Sequence, residues 1–254
     1  MNLTFDQNLF TNTSLDSGAV SMLCGVTHSL QQPGLYRGVV LRGSDDIAAF
    51  YVDCDPNCAV AQVNIDLAAL DPSVVSTVRP MRGSSMNTGS DCDCGGSTTG
   101  AKGGNRFLVH PRGYLVFHVS AGAGGYSVLV RKAEEDPKTP AFDSTRLSES
   151  DVFSAAIIRP GVYSVHNTLA KTESRLRVAY PKRGKTGYRP PKPVTVECAA
   201  KIEPGELDLQ PGQGILFHFK VPSRIKIDLI KPDDGTGESL APKGLGLRPQ
   251  GPRR

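Results

Sequence analysis

Two close pairs of cysteines have the residue type and spacing that most directly suggest chemistry. Cys54 and Cys58 stand in DCDPNC, and Cys92 and Cys94 stand in DCDCGG. Four thiolates could close a tetrahedral zinc site, and the same thiols could instead form disulfides that fix a loop. The CxxxC and CxC spacings depart from the usual CxxC pattern of zinc ribbons, so free thiols are a third alternative. Both specific alternatives are structural, and no cofactor is expected apart from this possible structural zinc.

Four aspartates flank the same cysteines and offer oxygen ligands. They are Asp53, Asp55, Asp91 and Asp93. Such carboxylates can bind a hard cation such as calcium, but the regularly spaced ligands of an EF-hand loop are missing from the sequence. We therefore expect a solvated acidic loop. The other two cysteines, Cys24 and Cys198, fall on apolar strand patterns, which predicts that they are buried as small hydrophobic side chains.

The histidines do not show a spacing typical of metal binding or catalysis. They are His28, His110, His118, His166 and His218, and they form no HxH or HExxH pattern. The sequence also lacks a late Cys-His-Met cluster of the cupredoxin kind, a GxSxG elbow, a P-loop and a dinucleotide-binding glycine motif. It therefore predicts a protein that is not an enzyme, with a hydrolase built from dispersed residues as an alternative.

The strongest local charge signal is the basic stretch PKRGKTGYRPPKP at 181–193. Its candidate contacts are Lys182, Arg183, Lys185, Tyr188 and Arg189. The cations could bind phosphates while the tyrosine stacks on a base. The prolines instead favour an extended, solvated connector. Since the whole chain carries a net charge of only +4, nucleic acid is not the expected partner.

Period-two alternation predicts that these side chains are positioned by β-strands. In RIKIDLIK, Ile225, Ile227 and Leu229 share one face, while the intervening residues are mostly charged. YSVLVRK and RLRVAY alternate in the same way. The 27 Gly and 19 Pro residues divide the chain into short segments, and helical periodicity is hard to find. The sequence therefore predicts an all-β fold.

Short motifs recur in the two halves of the chain and predict an internal duplication. PRGYLVFHV at 111–119 is similar to PGQGILFHF at 211–219, and QQPGLYRGVVL at 31–41 is similar to IRPGVYSVHN at 158–167. A strand unit of this size cannot bury its apolar face alone. We therefore expect an internally duplicated antiparallel β-sandwich of jelly-roll or immunoglobulin type. Chance similarity of short motifs is the alternative.

The domain prediction has two similar halves between two extended arms. The segments are an N-terminal arm (1–17), half 1 (18–137) with a Gly-, Ser- and Cys-rich insertion (83–104), half 2 (138–232) and a basic Pro- and Gly-rich tail (233–254). Both arms are polar and non-periodic, so alone they should be poorly ordered. We favour two sandwiches joined near AEEDPKTPAFDSTRLSES, with one larger pseudo-symmetric sandwich as the alternative.

Length and hydropathy bound the class of protein. A chain of 254 residues is long enough to bury a core without disulfides. Its first residues lack the basic and apolar regions of a secretory signal, and no apolar run reaches the length of a membrane span. We expect a soluble protein of the cytoplasm or of a virion, without a membrane partner.

Together these patterns favour a non-enzymatic structural or assembly protein. The missing catalytic motifs, the duplication and the polar arms fit a subunit, decoration or minor component of a larger particle such as a capsid or virion. Its partners would be other protein subunits, in a homo-oligomer or a hetero-oligomer. A carbohydrate- or ligand-binding β-sandwich is the first alternative, although Trp is absent and aromatic residues are only 6% of the chain.

Overall fold

The structure, a computed structural model, describes residues 13–75, 105–134, 139–149, 151–180 and 188–233. These residues form seventeen strands and two short helices. The first ten elements are β1 (Ser14–Asp16), β2 (Cys24–Ser29), β3 (Gly34–Arg42), β4 (Asp45–Cys54), β5 (Gln62–Asp66), α1 (Leu67–Leu70), α2 (Pro72–Val75), β6 (Asn105–Val109), β7 (Tyr114–His118) and β8 (Tyr126–Lys132). The remaining elements are β9 (Phe142–Asp143), β10 (Asp151–Ala156), β11 (Gly161–Asn167), β12 (Thr172–Val178), β13 (Val194–Cys198), β14 (Ile202–Glu203), β15 (Glu206–Leu209), β16 (Gly214–Phe219) and β17 (Ile225–Pro232).

The strands form three sheets, which confirms the predicted all-β class. One sheet has seven strands in the order β14-β13-β16-β10-β2-β7-β5, and we call it the shared sheet because both halves contribute to it. Sheet 1 has the order β6-β4-β3-β8-β9, and sheet 2 has the order β1-β17-β11-β12-β15.

The hydrophobic core covers one face of the shared sheet. Six neighbouring strands each contribute one side chain to a continuous row that is no more than 1% exposed. From one edge to the other, the row is Val196, Phe217, Phe153, Val26, Phe117 and Ile65. Phe50 of sheet 1 packs on Phe117 with 6.0 Å between ring centroids. The alternating apolar residues of the sequence therefore form this core, since period-two alternation places them on one face of each strand.

The two halves have the same strand order and the same pairing directions. The order β6-β4-β3-β8 in sheet 1 matches β15-β12-β11-β17 in sheet 2, and β5-β7-β2 in the shared sheet matches β13-β16-β10. Val26 and Phe153 occupy the same place in the two patterns, and they pair with each other where β2 meets β10. We call residues in matching places counterparts.

The recurring Pro-Gly-x-Tyr motif forms the same turn in both halves. Gly34 and Gly161 have φ angles of +138° and +155°, a region that favours glycine. The hydroxyl of Tyr36 donates to the carbonyl of Gln32 at 2.8 Å, and that of Tyr163 donates to Arg159 at 2.7 Å. Each tyrosine therefore ties the start of its strand to the residues that precede the turn.

The predicted antiparallel pairing is correct for most pairs of described strands and wrong for four. Four strand pairs are parallel: β4 with β6, β5 with β7, β12 with β15 and β13 with β16. In each half the chain leaves one sheet, forms a strand in another and returns to the first in its original direction. Such crossovers produce parallel neighbours. Jelly rolls and immunoglobulin domains are built of antiparallel sheets, and the four parallel pairs depart from that arrangement.

The halves are also joined more closely than two sandwiches on a connector. β2 of half 1 pairs with β10 of half 2 inside the shared sheet. The halves exchange short strands as well, since β1 pairs with β17 of half 2 and β9 pairs with β8 of half 1. Residues Ser14–Asp16 of the expected N-terminal arm are therefore a strand of sheet 2, bound within the same chain.

Candidate functional site

A buried histidine–aspartate pair lies where the two halves meet. His28 on β2 lies opposite Asp151 on β10, and His28 Nδ1 is 2.7 Å from Asp151 Oδ1. The two residues are 7% and 2% exposed. Because an ionised carboxylate only accepts hydrogen bonds, Nδ1 carries a proton and donates a hydrogen bond to Asp151. The Nε2 atom of His28 is then the ring nitrogen left for another partner.

The turn before β10 holds Asp151 in place. The backbone N–H and the hydroxyl of Ser148 donate to Asp151 Oδ2 at 2.5 and 3.0 Å, and Asp151 N–H donates back to Ser148 O at 3.0 Å. One carboxylate oxygen thus caps the turn while the other binds His28. On its other side, the His28 ring packs against Phe142 of β9, with 4.8 Å between ring centroids. These contacts orient the imidazole.

His28 forms part of the wall of a polar cleft. The cleft encloses about 370 Å³, within the size range of small-molecule sites. Its polar lining residues include His28, Gln31, Gln32, Lys132, Thr139 and Ser148. Lys132 Nζ lies 3.5 Å from Gln32 Oε1. Within the described residues, one ammonium group and no carboxylate line the cleft. We call this region the polar cleft.

The counterpart region in the other half is nearly filled, and Arg159, the counterpart of Gln32, is its charged lining residue. The region encloses about 10 Å³, and its lining includes Ile158 and Ala156, the counterparts of Gln31 and Ser29. The counterparts of Asp151 and His28 are Cys24 and Ala155, which also pair with each other. Cys24 Sγ accepts from Ser21 N–H at 3.3 Å, much as Asp151 accepts from Ser148. The same turn therefore forms without a carboxylate or an imidazole.

The opposite face of the shared sheet forms a second candidate surface. One row across it consists of Asn64, Val116, Thr27, Val152, His218 and Glu197. In the described structure these side chains are half-buried at the centre and exposed towards the edges. We call this surface, together with the adjacent row of Asp66, His118, Gly25, Ser154, Leu216 and Thr195, the open face.

Two of the four predicted zinc or disulfide cysteines lie in the described structure. Within the described residues Cys54 and Cys58 have no disulfide partner, and they are 2% and 9% exposed. Burial raises the pKa of Cys54, and the nearby charges of Asp53, Cys58 and Asp55 add to the effect. The counterpart of Cys54 is Val178, also in the core. Cys92 and Cys94 lie outside the described residues, so the site stays a prediction.

The aspartates beside Cys54 have partners within the protein. Asp53 accepts from Arg106 at 2.6 Å, and Asp55 accepts from the N–H of Asn57 at 2.8 Å. Asp91 and Asp93 lie outside the described ranges. Among the residues that the structure covers, no group of three or more His, Cys, Asp or Glu is arranged to hold a metal ion.

The basic stretch is described only at its end. Lys182, Arg183 and Lys185 lie outside the described residues, whereas Tyr188 and Arg189 lie within them. The hydroxyl of Tyr188 donates to the carbonyl of Pro211 at 2.7 Å, and 46% of the residue is exposed. The tyrosine thus links the connector to the turn before β16, and the phosphate-binding hypothesis stays a prediction.

The polar residues around Asp151 were missed by motif spacing, although the repeat contains a signal for them. The 127-residue offset that relates Tyr36 to Tyr163 also relates Ser21 to Ser148 and Cys24 to Asp151. Aligning the two halves over these positions matches Asp151 of half 2 with Cys24 of half 1, so a charged residue replaces a small apolar one.

Comparison with known proteins adds no family to these observations. The sequence matches no protein-family model, and no curated protein and no solved structure matches the chain. No helix in the described ranges has both the length and the apolar composition needed to cross a membrane.

Proposed function

We propose that the chain is an internally duplicated β-sandwich protein that works as a non-enzymatic subunit of a larger particle, such as a virion. Its partners are other protein subunits. The observation that carries this proposal is the open face of the shared sheet, whose side chains the described part of the chain leaves half-buried or exposed.

The duplication is supported by matched details as well as by matched strand order. Ser17 and Ser144, 127 residues apart, are both fully buried. Ser17 Oγ accepts from Ile225 N–H at 3.1 Å, and Ser144 Oγ accepts from Val128 N–H at 2.9 Å. Both serines therefore fix a short exchanged strand to the sheet of the other half. A shared ancestral unit accounts for such agreement better than chance similarity of short motifs.

The chemistry of the open face suits contact with another protein. Its middle strands carry small or β-branched side chains, with Thr27 and Val152 paired near the centre. Its margins carry polar and charged residues such as Asn64 and Glu197. Protein interfaces usually have a partly apolar centre surrounded by a polar rim, and the open face has this arrangement.

The symmetry of the open face favours a second, similar face as its partner. Because Val26 and Phe153 are counterparts that pair with each other, the pseudo-twofold axis passes through the middle of the sheet. It relates His118 to His218 and Asp66 to Glu197. Asp66 pairs with His118 in one half, and Glu197 pairs with His218 in the other. A surface with twofold character can meet a copy of itself through an isologous contact, as sheets do when they pack face to face.

The native mass of the purified chain tests the proposal. Light scattering over a range of concentrations should show a mass above that of one 27.1 kDa chain. Val152→Asp places a carboxylate at the centre of the open face and should shift the protein to monomers. Val162→Asp is the matched control, because Val162 is a half-buried β11 residue of sheet 2, away from the open face.

Three outcomes count against the assembly proposal. One is a monomer at all concentrations that also fails to join any particle in its source. Another is an oligomer that both aspartate variants leave intact. A third is an oligomer that both variants dissolve equally, since the open face would then have no special part in it.

A further inference from the structure

The polar cleft has features that the fold itself does not require. Its counterpart region forms the same strands and the same turn with Cys24 and Ala155 in place of Asp151 and His28. Gln31 and Ser29 are likewise replaced by Ile158 and Ala156. Since packing at these four positions is satisfied by apolar residues in the other half, the four polar side chains call for a different explanation.

The groups around the polar cleft are complementary to a small anion. Lys132 supplies an ammonium group at the edge of the cleft, where its counterpart by strand pairing is Leu229. Gln31 and the hydroxyl of Thr139 add neutral polar groups, whereas the Ser148 hydroxyl already donates to Asp151. Among the described lining residues there is no carboxylate to repel an anion. Asp151 itself lies behind His28, with both oxygens engaged.

We propose that the polar cleft binds a small molecule through an oxyanion group, a carboxylate or a phosphate. His28 Nε2 and Lys132 Nζ contact the oxyanion, and Asp151 is a positioning residue that holds the imidazole through Nδ1. Asp151 bonds to Nδ1, no described residue bonds to Nε2, and His28 lines the cleft. A protonated imidazole can donate to Asp151 from Nδ1 and to the ligand from Nε2 at the same time.

The size of the cleft and its aromatic residue narrow the class of ligand. About 370 Å³ fits a small metabolite and not a folded partner. The aromatic lining residue is Tyr36, which is 3% exposed and whose hydroxyl is bonded to Gln32. It offers no exposed platform for a sugar ring. An oxyanion group is therefore favoured over a neutral carbohydrate.

Nitrogen NMR of the histidine side chains tests the site directly. The probes are inorganic phosphate and acetate, titrated separately into the uniformly labelled full chain, with glucose as the neutral comparison. His28→Ala assigns the His28 signals. We expect a saturable shift of His28 Nε2 towards its protonated position with at least one of the two anions, while glucose has no effect.

Two variants built from the counterpart residues sharpen the test. Lys132→Leu introduces the residue at position 229, and His28→Ala with Asp151→Cys introduces the pair found at positions 155 and 24. Each should weaken anion binding by about tenfold or more, with the double variant followed by isothermal titration calorimetry. Lys201→Leu removes the same charge from an exposed position and should bind like the parent protein.

The result that would overturn the proposal is the absence of a saturable His28 shift with both anions. Equal weakening in Lys132→Leu and Lys201→Leu would also overturn it, because only overall charge would then matter. Saturable binding of glucose in place of the anions would replace the oxyanion by a polyol. A protein that stays monomeric, joins no particle in its source and still binds phosphate would end the assembly proposal and leave this one intact, so the two proposals fail separately.

Discussion

The two pairs where β2 meets β10 occupy matching places and are chemically opposite. At one place, Asp151 and His28 form a 2.7 Å hydrogen bond beside an open cleft. At the other, Cys24 and Ala155 pair next to Leu23 and Ala156, which line the nearly filled counterpart region. Both pairs support the same antiparallel contact between the halves. Burial raises the pKa of the Cys24 thiol, so this side stays uncharged at neutral pH.

The difference between the two pairs shows that the contact between β2 and β10 does not require an ionisable pair. A buried ionisable pair is weak evidence for stability, because the cost of removing its groups from water offsets their attraction. The apolar pair shows that this site in the sheet is satisfied without charge. The polar pair is therefore better explained by the chemistry that it offers to the cleft.

Removing Asp151 alone should have the largest effect on stability. Asp151→Ala leaves the buried His28 Nδ1 without its acceptor and removes the acceptor of the N–H of Ser148, an exposed residue. We therefore expect a loss of about 3 kcal/mol in the free energy of unfolding. His28→Ala with Asp151→Cys copies the other pair and should recover most of the loss, to within about 1 kcal/mol of the parent. Urea denaturation measures both variants.

The comparison between the pairs would be wrong if the double variant were as unstable as Asp151→Ala. In that case the two sites would not be interchangeable, and the polar pair would have a structural role that Cys24 and Ala155 cannot copy.

A second matched site contrasts a charged network with a neutral one. In half 1, Asp71 accepts from Arg42 and Tyr126, both at 2.8 Å. Burial opposes ionisation of Asp71, but hydrogen bonds from Ser73 and Tyr126 and the charge of Arg42 outweigh it and lower its pKa. Burial and the bond to Asp71 raise the pKa of Tyr126 to about 12.

Half 2 replaces this network by neutral groups. The counterpart of Tyr126 is Ser223, which accepts from Asn167 Nδ2 at 2.8 Å. Because the pKa of Asp71 is lowered on folding, its stabilising effect is present above the ordinary aspartate pKa of about 4 and is lost as pH falls through the folded-state value. The neutral pair has no such dependence.

Asp71→Asn should therefore cost about 2 kcal/mol at pH 7 and flatten the acid side of the stability curve. The measurement is the free energy of unfolding from pH 7 to pH 3. Asn167→Ala is the control, and its loss should stay the same over that range. If the free energy of unfolding fell equally steeply with pH in Asp71→Asn and in the parent, ionisation of Asp71 would not contribute to stability.

The strands were predictable from the sequence, whereas their partners were not. Alternation at Tyr126, Val128 and Val130 defines the buried face of β8 whichever strands lie beside it, and all three residues are no more than 1% exposed. The same alternation occurs in parallel and antiparallel pairs. The direction of β4 relative to β6 therefore had no local signal.

The candidate site depends on contacts between distant residues. His28 and Asp151 are 123 residues apart, and they meet only because β2 and β10 pair in one sheet. The cleft further depends on β9, which places Phe142 of half 2 against His28 of half 1. Neither His28 nor Asp151 stands in a catalytic or ligand-binding motif, so motif spacing did not distinguish His28 from the other four histidines.

The two buried serines should behave alike, which tests whether the halves share an architecture. Ser17→Ala and Ser144→Ala each remove the acceptor of one buried strand N–H, at Ile225 or Val128. We expect each to lower the free energy of unfolding by about 1.5 kcal/mol, and the double variant to lose the sum. Denaturant titration measures all three, and a large effect at only one serine would deny that the exchanged strands are anchored alike.

The smallest effect should come from an ion pair that only one exchanged strand possesses. Asp16 accepts from Arg224 Nε and Nη2 at 3.0 and 2.9 Å, whereas its counterpart Asp143 binds the N–H and hydroxyl of Thr145. The hydrogen bond to Asp16 raises the pKa of Arg224, so the guanidinium stays charged at every working pH. The counterpart of Arg224 is Ser127, which cannot supply this charge.

Asp16→Ala should therefore cost about 1 kcal/mol more than Asp143→Ala. The excess should shrink in high salt, because the Arg224 side chain is 36% exposed and the pair is open to screening. A double-mutant cycle with Arg224→Ala at low and high ionic strength isolates the pair. The Gly18 N–H also donates to Asp16 at 2.8 Å, but the Thr145 N–H donates to Asp143 at the same distance, so this bond cancels in the comparison. An excess that does not change with salt would therefore show that the charge of Arg224 is not its source.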